Sequence, residues 1–183
     1  MTDKLMVVIP CYNEEEVLPE TARRLTEKMA ALTQRGLIAP ESRVLLVDDG
    51  SRDRTWELIE GLHKQNPLFE GVKLSRNRGH QNALLAGLMT ARNGFDVSIS
   101  MDADLQDDMD AMDRFLEKYR EGCEVVYGVR RKRDTDTAFK RGTALMFYRL
   151  MRALGVDITF NHADYRLMSN RALDALSEFG EVN

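Results

Sequence analysis

"RVLLVDDGSRDRT", residues 43–55, carries the plan of the whole chain in one short stretch. Val44–Val47 is an apolar, β-branched run of strand length, and Asp48 and Asp49 place two carboxylates at its end. Gly50-Ser51 permits a tight turn, and a helix from Asp53 to Gln65 follows. The same unit recurs on either side. "LMVVIP" (5–10) precedes a helix over Glu14–Arg35 with Leu18, Ala22, Leu25 and Met29 along one side. "GVKLS" (71–75) precedes the helical "GHQNALLAGLMTAR" (79–92), and "DVSISMD" (96–102) precedes a helix over Asp110–Arg120. "EVVYG" (124–128) makes a fifth strand. Strand–helix alternation of this kind specifies an α/β fold whose central sheet is mainly parallel, with helices on both faces. Residues 1–183 are expected to form one domain. Ligands in such sheets bind beyond the carboxyl ends of the strands.

Those strand ends are where the polar residues gather: "PCYNEEE", "DDGSRD", "DADLQDD" and "GVRRKRD". The overall composition is ordinary, with 43% hydrophobic and 31% charged residues and a net charge of −4. That balance argues against a general nucleic-acid binder. The two cysteines, Cys11 and Cys123, have no zinc or redox spacing, so free thiols in a reducing compartment are expected. No apolar stretch approaches the roughly 20 residues that span a bilayer, and "LMVVIP" is too short for a secretory leader. Charge is nonetheless segregated. Six aspartates fall between Asp102 and Asp113, whereas Arg130–Arg152 holds eight basic residues against two acidic ones. An acidic cluster beside a basic one suits a site that handles a cation and several phosphates. Two solvated faces of opposite sign are the alternative.

In "VLLVDDGS", a carboxylate can accept hydrogen bonds from a nucleobase N–H or from ribose hydroxyls. Alternatively, Asp49 or Ser51 orders the turn and Asp53 caps the helix. No G-x-G-x-x-G follows a strand, which excludes the dinucleotide fingerprint. In "MDADLQ", Asp102 and Asp104 stand two apart at a strand end and can converge on one divalent cation, with Gln106 able to add an oxygen. Oxygen donors suit Mg²⁺ or Mn²⁺, which keep positions open for substrate phosphates. An EF-hand fails, because its sixth position would be Asp107 and its twelfth Asp113. A helix dipole explains Asp107, Asp108 and Asp110 well but Asp102 poorly. Arg130 and Arg141 can grip phosphate oxygens with their planar forks. A helix over Ala138–Leu154 is expected, basic on one face and apolar on the other, and able to rest on anionic lipid.

Together, "VVIPCYNEEEVLP", "VLLVDDGSRDRT", "LSRNRGHQNALLAGL", "MDADLQDD", "GVRRKRD" and "DYRLMSNRAL" resemble, in order and spacing, family 2 glycosyltransferases. The branch they look most like glycosylates polyprenyl phosphates, as dolichyl-phosphate mannose synthases and undecaprenyl-phosphate glucosyltransferases do. The resemblance runs from Met6 to Leu176. It implies a GT-A (Rossmann-like) fold and a nucleotide pocket lined by Pro10, Tyr12, Asn13, Glu14, Asp49 and Gly79. It further implies a metal on the donor diphosphate held by Asp102 and Asp104 with Gln106 nearby. Arg130 and Arg141 fall where the family binds phosphate, and Asp164 lies in a block used near the sugar and acceptor. Family members commonly carry two prolines and a glutamate after "LQ", where this chain has Asp108-Met109-Asp110, so the loop there departs from the pattern.

The expected activity is inverting transfer of a hexose from a nucleoside diphosphate sugar, UDP-glucose first, to a polyprenyl phosphate such as undecaprenyl phosphate. A GDP-mannose-dependent enzyme, transfer to a non-lipid acceptor, a nucleotide-sugar-binding module without transfer, and a membrane-surface adaptor are the competing readings. Relatives in this family continue past the point where this chain stops at Asn183. The expectation is therefore a soluble piece of a protein that works at the cytoplasmic face of a membrane.

Overall fold

A computed structural model describes residues 2–104, 106–129 and 162–178. The strands are β1 (Leu5–Cys11), β2 (Arg43–Asp48), β3 (Phe69–Lys73), β4 (Val97–Ser100), β5 (Val125–Val129) and β6 (His162–Ser169). The helices are α1 (Leu18–Gln34), α2 (Thr55–Gln65), α3 (His80–Ala91), α4 (Ala111–Arg120) and α5 (Asn170–Glu178). The six strands lie in the order β3-β2-β1-β4-β6-β5. β3, β2, β1 and β4 pair in parallel, and β6 runs antiparallel to β4.

The sequence pattern identified five of these strands and missed β6. That strand stands outside the strand–helix rhythm, and Asp164 and Arg166 interrupt its apolar positions. Two helices also begin later than their periodicity suggests. Glu15–Val17 form a turn ahead of α1, and α2 begins at Thr55 instead of Asp53. Asp53 still serves the start of α2, because its carboxylate accepts the Thr55 N–H at 3.0 Å. The residues left outside both helices are used to join two loops, as the site shows. The helix expected over 138–154 falls outside the described residues.

Side chains of both parities are buried along β1 and β2, as a parallel sheet covered on two faces requires. Met6, Val8, Leu45 and Val47 pack against Ala83, Leu84, Leu88 and Ala91 of α3 and against Met168 and Leu173. Leu5, Val7, Ile9, Val44 and Leu46 are buried on the other parity. Gly87 lets α3 sit close to the sheet: a Cβ there would meet Val8 Cγ1 at 2.4 Å and Val47 Cγ2 at 2.8 Å. Contacts divide the chain into two units, Met1–Val126 with Asp164–Asn183, and Tyr127–Ala163. The first holds the core just described. Of the second, only residues at the ends of β5 and β6 are described. No described helix is long and apolar enough to cross a membrane.

Two of the six clustered aspartates fasten α4 to α1. The half-buried Lys28 ammonium of α1 lies 2.5 Å from Asp113 and 2.9 Å from Asp110. Arg35 also pairs with Asp113. Burial alone would lower the Lys28 pKa, but hydrogen bonds and charges from Asp113 and Asp110 outweigh it and leave it raised. Burial would raise Asp113, yet the hydrogen bonds from Lys28 and Arg35 hold it below the usual carboxylate range. Lys28→Met keeps the aliphatic stem and removes the cation, so it should cost about 1.5–3 kcal/mol, the scale of a hydrogen bond to a charged group. The depressed Asp113 contributes fully above its unfolded pKa of about 4 and loses that contribution as pH falls through its folded value. The raised Lys28 contributes below about pH 10.4. The stability gap between the parent protein and Lys28→Met, read from urea midpoints, should therefore be widest between about pH 5 and 9 and narrow below about pH 4.

Candidate active site

The loops after β1 and β2 are zipped together at the carboxyl edge of the sheet. The Asp49 N–H donates to the Cys11 carbonyl at 2.8 Å, continuing the register of the two strands. Asn13 adopts a left-handed conformation (φ 56°), which asparagine tolerates better than most residues. Its N–H donates to Ser51 Oγ at 3.0 Å, and its side-chain oxygen accepts the Arg52 N–H at 2.9 Å. The Glu14 N–H donates to Thr55 Oγ1 at 2.8 Å. Asn13 thus acts on the loop itself, setting Tyr12 and Glu14 on either side of it. Pro10 is buried in β1 opposite Val47, whereas Tyr12 is 39% exposed just past the strand end.

Asp49 is buried and reaches across to the next loop. One carboxylate oxygen accepts the Arg78 N–H at 2.6 Å and the other accepts the Gly79 N–H at 2.9 Å. Gly79, at φ 88°, precedes α3, and its carbonyl accepts the Asn82 and Ala83 N–H groups. The pair Asp49 and Gly79 therefore fixes the start of α3 against the end of β2. This is the turn-ordering role that the sequence left open for Asp49; each oxygen keeps a second lone pair.

That placement brings His80, the first residue of α3, to the end of β4. A cleft of about 320 Å³ there is lined by Glu14, His80, Asp102, Ala103 and Asp104. His80 Nε2 lies 3.7 Å from Asp102 Oδ1. Burial, followed by the negative charges of Asp104, Asp53 and Asp102, pushes the Glu14 carboxyl above the ordinary carboxylate range. The carboxylates of this cleft act on one another. Among the described residues no three His, Cys, Asp or Glu side chains are grouped to hold a metal. Asp102 and Asp104 instead offer a two-carboxylate oxygen set. Such a set fits Mg²⁺ or Mn²⁺, which take their other ligands from water and substrate phosphates.

The rest of the acidic cluster does other work. Gln106 is exposed and outside the lining of the cleft, and its N–H donates to Asp104 Oδ1 at 3.0 Å. Asp107 is buried, and Asp108 accepts the Asp110 N–H at 2.9 Å. Cys11 is a buried thiol whose pKa is raised by burial and then by Glu14 and Asp48, so it stays protonated and donates to the Ile9 carbonyl.

Of the predicted site residues, Glu14, Asp102 and Asp104 meet in one cleft, with Asp49 and Gly79 supporting its wall. Arg130 and Arg141 lie outside the described residues. Asp164 belongs to β6, which begins on the same edge as Asp102, since its later residue Arg166 pairs with Ser100. Its side chain is outside those described. The sequence reading overlooked His80. Its signal was its place in "RGHQNA", directly after Gly79 and at a helix start on the loaded edge.

The profile of the family described as Glycosyl transferase family 2 matches residues 6–177. The Bacillus subtilis glycosyltransferase YkoT is 55% identical over 179 residues, which cover 98% of this chain and 53% of that protein. The bactoprenol glucosyl transferase of Shigella phage SfX is 34% identical over 184 residues, covering 98% of this chain and 57% of the relative. This chain spans about half the length of the curated relatives it matches. Among solved structures, the mannosyltransferase PcManGT from Pyrobaculum calidifontis, in complex with GDP-Man and Mn²⁺, superposes with a TM-score of 0.67 at 20% identity. That match covers 96% of this chain and 47% of the other, and it speaks for the fold alone.

Proposed function

The chain belongs to glycosyl transferase family 2 and has its GT-A fold, and on that footing we propose that it moves glucose from UDP-glucose to a polyprenyl phosphate. The observation that carries the reading is the pair Asp102 and Asp104 at the end of β4, sharing a cleft with Glu14 and His80. The names of the 34% identical relatives favour glucose and a bactoprenol-type acceptor over other choices. The active protein works at the cytoplasmic face of the membrane, where such an acceptor presents its phosphate.

In this reading Asp102 and Asp104 bind Mg²⁺ or Mn²⁺ on the donor diphosphate, with Gln106 available to the same ion. When bound, the ion supplies charge neutralisation on the departing diphosphate. Tyr12 and Glu14 border the nucleotide, while Pro10, Asn13, Asp49 and Gly79 hold the backbone that shapes its pocket. Arg130 and Arg141 take phosphate oxygens, assigned from their sequence blocks alone. An acceptor phosphate oxygen forms the bond to the anomeric carbon as the bond to the donor β-phosphate oxygen breaks, and UDP leaves. The acceptor is already largely ionised at neutral pH, since its second pKa is about 6. Asp164 therefore orients groups near the sugar instead of removing a proton. Attack opposite the leaving group turns an α-linked donor into a β-linked lipid phosphate.

Thermal unfolding with UDP, UDP-glucose, GDP or GDP-mannose, each with Mn²⁺ or with EDTA, tests the donor half of this proposal. At about 100 times the dissociation constant a ligand adds roughly 2.7 kcal/mol. That should raise the melting temperature by about 5–11 °C for a chain of this size. The shift should occur with the uridine ligands and vanish in EDTA. A shift with guanosine ligands alone would move the donor to GDP-mannose, and equal shifts in Mn²⁺ and EDTA would remove the metal role.

A further inference from the structure

The residue between the two cleft aspartates is held from outside the loop. Ala103 is buried, and its backbone carbonyl accepts a hydrogen bond from Thr21 Oγ1 at 2.7 Å. Thr21 belongs to α1 and is fully buried, with its hydroxyl also 3.1 Å from the Val17 carbonyl. A hydroxyl has one proton to donate. The shorter contact, to Ala103, is therefore the stronger claim on it. Helical threonines ordinarily bond back to their own helix, and here that option is present and the longer of the two.

We propose that Thr21 is a positioning residue that sets the divergence of the Asp102 and Asp104 carboxylates through the Ala103 carbonyl. This rests on the metal-binding reading of those aspartates. The peptide linking Ala103 to Asp104 carries that carbonyl, so fixing its oxygen fixes the plane from which Asp104 projects. Two peptides earlier the chain is tied as well, because the Met101 N–H donates to the Val8 carbonyl at 3.1 Å. The stretch that carries Asp102 and Asp104 is thus held by β1 at Met101 and by α1 at Ala103. Two carboxylates that repel each other need such restraint before a cation arrives, and ligand pre-orientation by outer groups is a general feature of metal sites.

A second hydroxyl anchors the far end of the same loop and supplies an internal control. Tyr165 of β6 is buried, donates from its phenol to the Asp108 carbonyl at 3.1 Å, and packs at a tilt against Phe115 of α4 with ring centroids 4.8 Å apart. Burial, then the charges of Asp107, Asp108, Asp110 and Asp113, raise its pKa, so it remains a donor. Its hydroxyl grips the loop four residues beyond Asp104.

The experiment measures Mn²⁺ affinity with UDP and with GDP, from the loss of the free-Mn²⁺ EPR signal, in the parent protein and four variants. Thr21→Val should weaken Mn²⁺ binding by about 10-fold or more, the range seen when outer partners of metal ligands are removed. Thr21→Ser, which restores the hydroxyl, should return it to within about 2–3-fold of the parent under the same comparison. Tyr165→Phe should lower the unfolding midpoint but leave Mn²⁺ affinity nearly unchanged. Equal affinity losses in Thr21→Val and Tyr165→Phe would assign the effect to general loosening of the loop and overturn the proposal, as would failure of Thr21→Ser to recover. Asp102→Asn separates this from the metal reading itself. If Asp102→Asn abolishes binding while Thr21→Val does not change it, only the positioning role falls. If neither the parent nor any variant takes up Mn²⁺ with either nucleotide, both fall together.

Discussion

If the proposed function holds, Asp102→Asn should reduce glycosyl transfer by at least about 10²–10³-fold, the cost of deleting one preorganised electrostatic group at a reacting centre. That loss corresponds to roughly 2.7–4 kcal/mol of transition-state stabilisation. Asp104→Asn should behave alike, because the proposed reading assigns the cation to these two carboxylates, and either loss halves the charge that the pair brings to it. The fold should survive both changes. Asp102 is only part-buried, with its side chain 32% exposed, and asparagine keeps its volume. Removing one negative charge from a cleft where Asp104 and Asp102 both push the Glu14 carboxyl upward relieves repulsion in the metal-free protein. The metal-free melting temperature should therefore be unchanged or slightly higher, while the Mn²⁺-dependent increment disappears. That opposition, activity lost as apo stability holds, distinguishes a metal ligand from a structural aspartate. Turnover within about 3-fold of the parent, far short of the loss expected of such a group, would remove the metal role from these residues.

Much of this is legible in the sequence, and the reasons are physical. Parallel strands buried on both faces must be continuous apolar runs, so "LMVVIP" and "RVLLVD" announced themselves, and chemistry in such a sheet is confined to one edge. Asp102 stood out because a helix dipole cannot account for a carboxylate at a strand end. What remained hidden lies in contacts between distant residues. β6 follows no crossover pattern and pairs antiparallel across a long gap in sequence, from Ser169 to Val97. Asp113 looks like helix decoration until Lys28, far earlier in the chain, is placed beside it. Thr21 stands next to the apolar stripe of α1 as a single polar residue with full burial. A buried hydroxyl needs a partner, but only the fold identifies that partner as the carbonyl of Ala103. His80 was missed for a similar reason: Asp49 must first pin Arg78 and Gly79 before α3 can aim its first residue at Asp102.

That pinning makes Gly50→Ala a strongly damaging substitution despite its small size. Gly50 sits at φ +68°, where an added Cβ costs about 1–2 kcal/mol. The Cβ would also lie 2.5 Å from the Asn77 nitrogen and 2.6 Å from the Arg76 carbonyl carbon, both backbone atoms that no rotamer change can move. The 76–79 loop must shift, and it is the loop whose Arg78 and Gly79 N–H groups are held by the neighbouring Asp49. Losing even one of these hydrogen bonds to a buried carboxylate costs about 1.5–3 kcal/mol. The two contributions together come to about 3–5 kcal/mol, a fall of roughly 6–20 °C in melting temperature. Gly36→Ala provides the comparison, since Gly36 has nearly the same backbone conformation, φ +65°, with nothing within 4 Å of its added Cβ. It should lose only the strain of about 1–2 kcal/mol. The difference between the two variants isolates the close approach of the β2 and β3 loops. That same approach places His80 in the cleft, so Gly50→Ala should also lose the nucleotide-dependent thermal shift while Gly36→Ala keeps it. Equal destabilisation in both, with the ligand shift intact in each, would mean that the 76–79 loop is free to move and that Asp49 does not hold the start of α3.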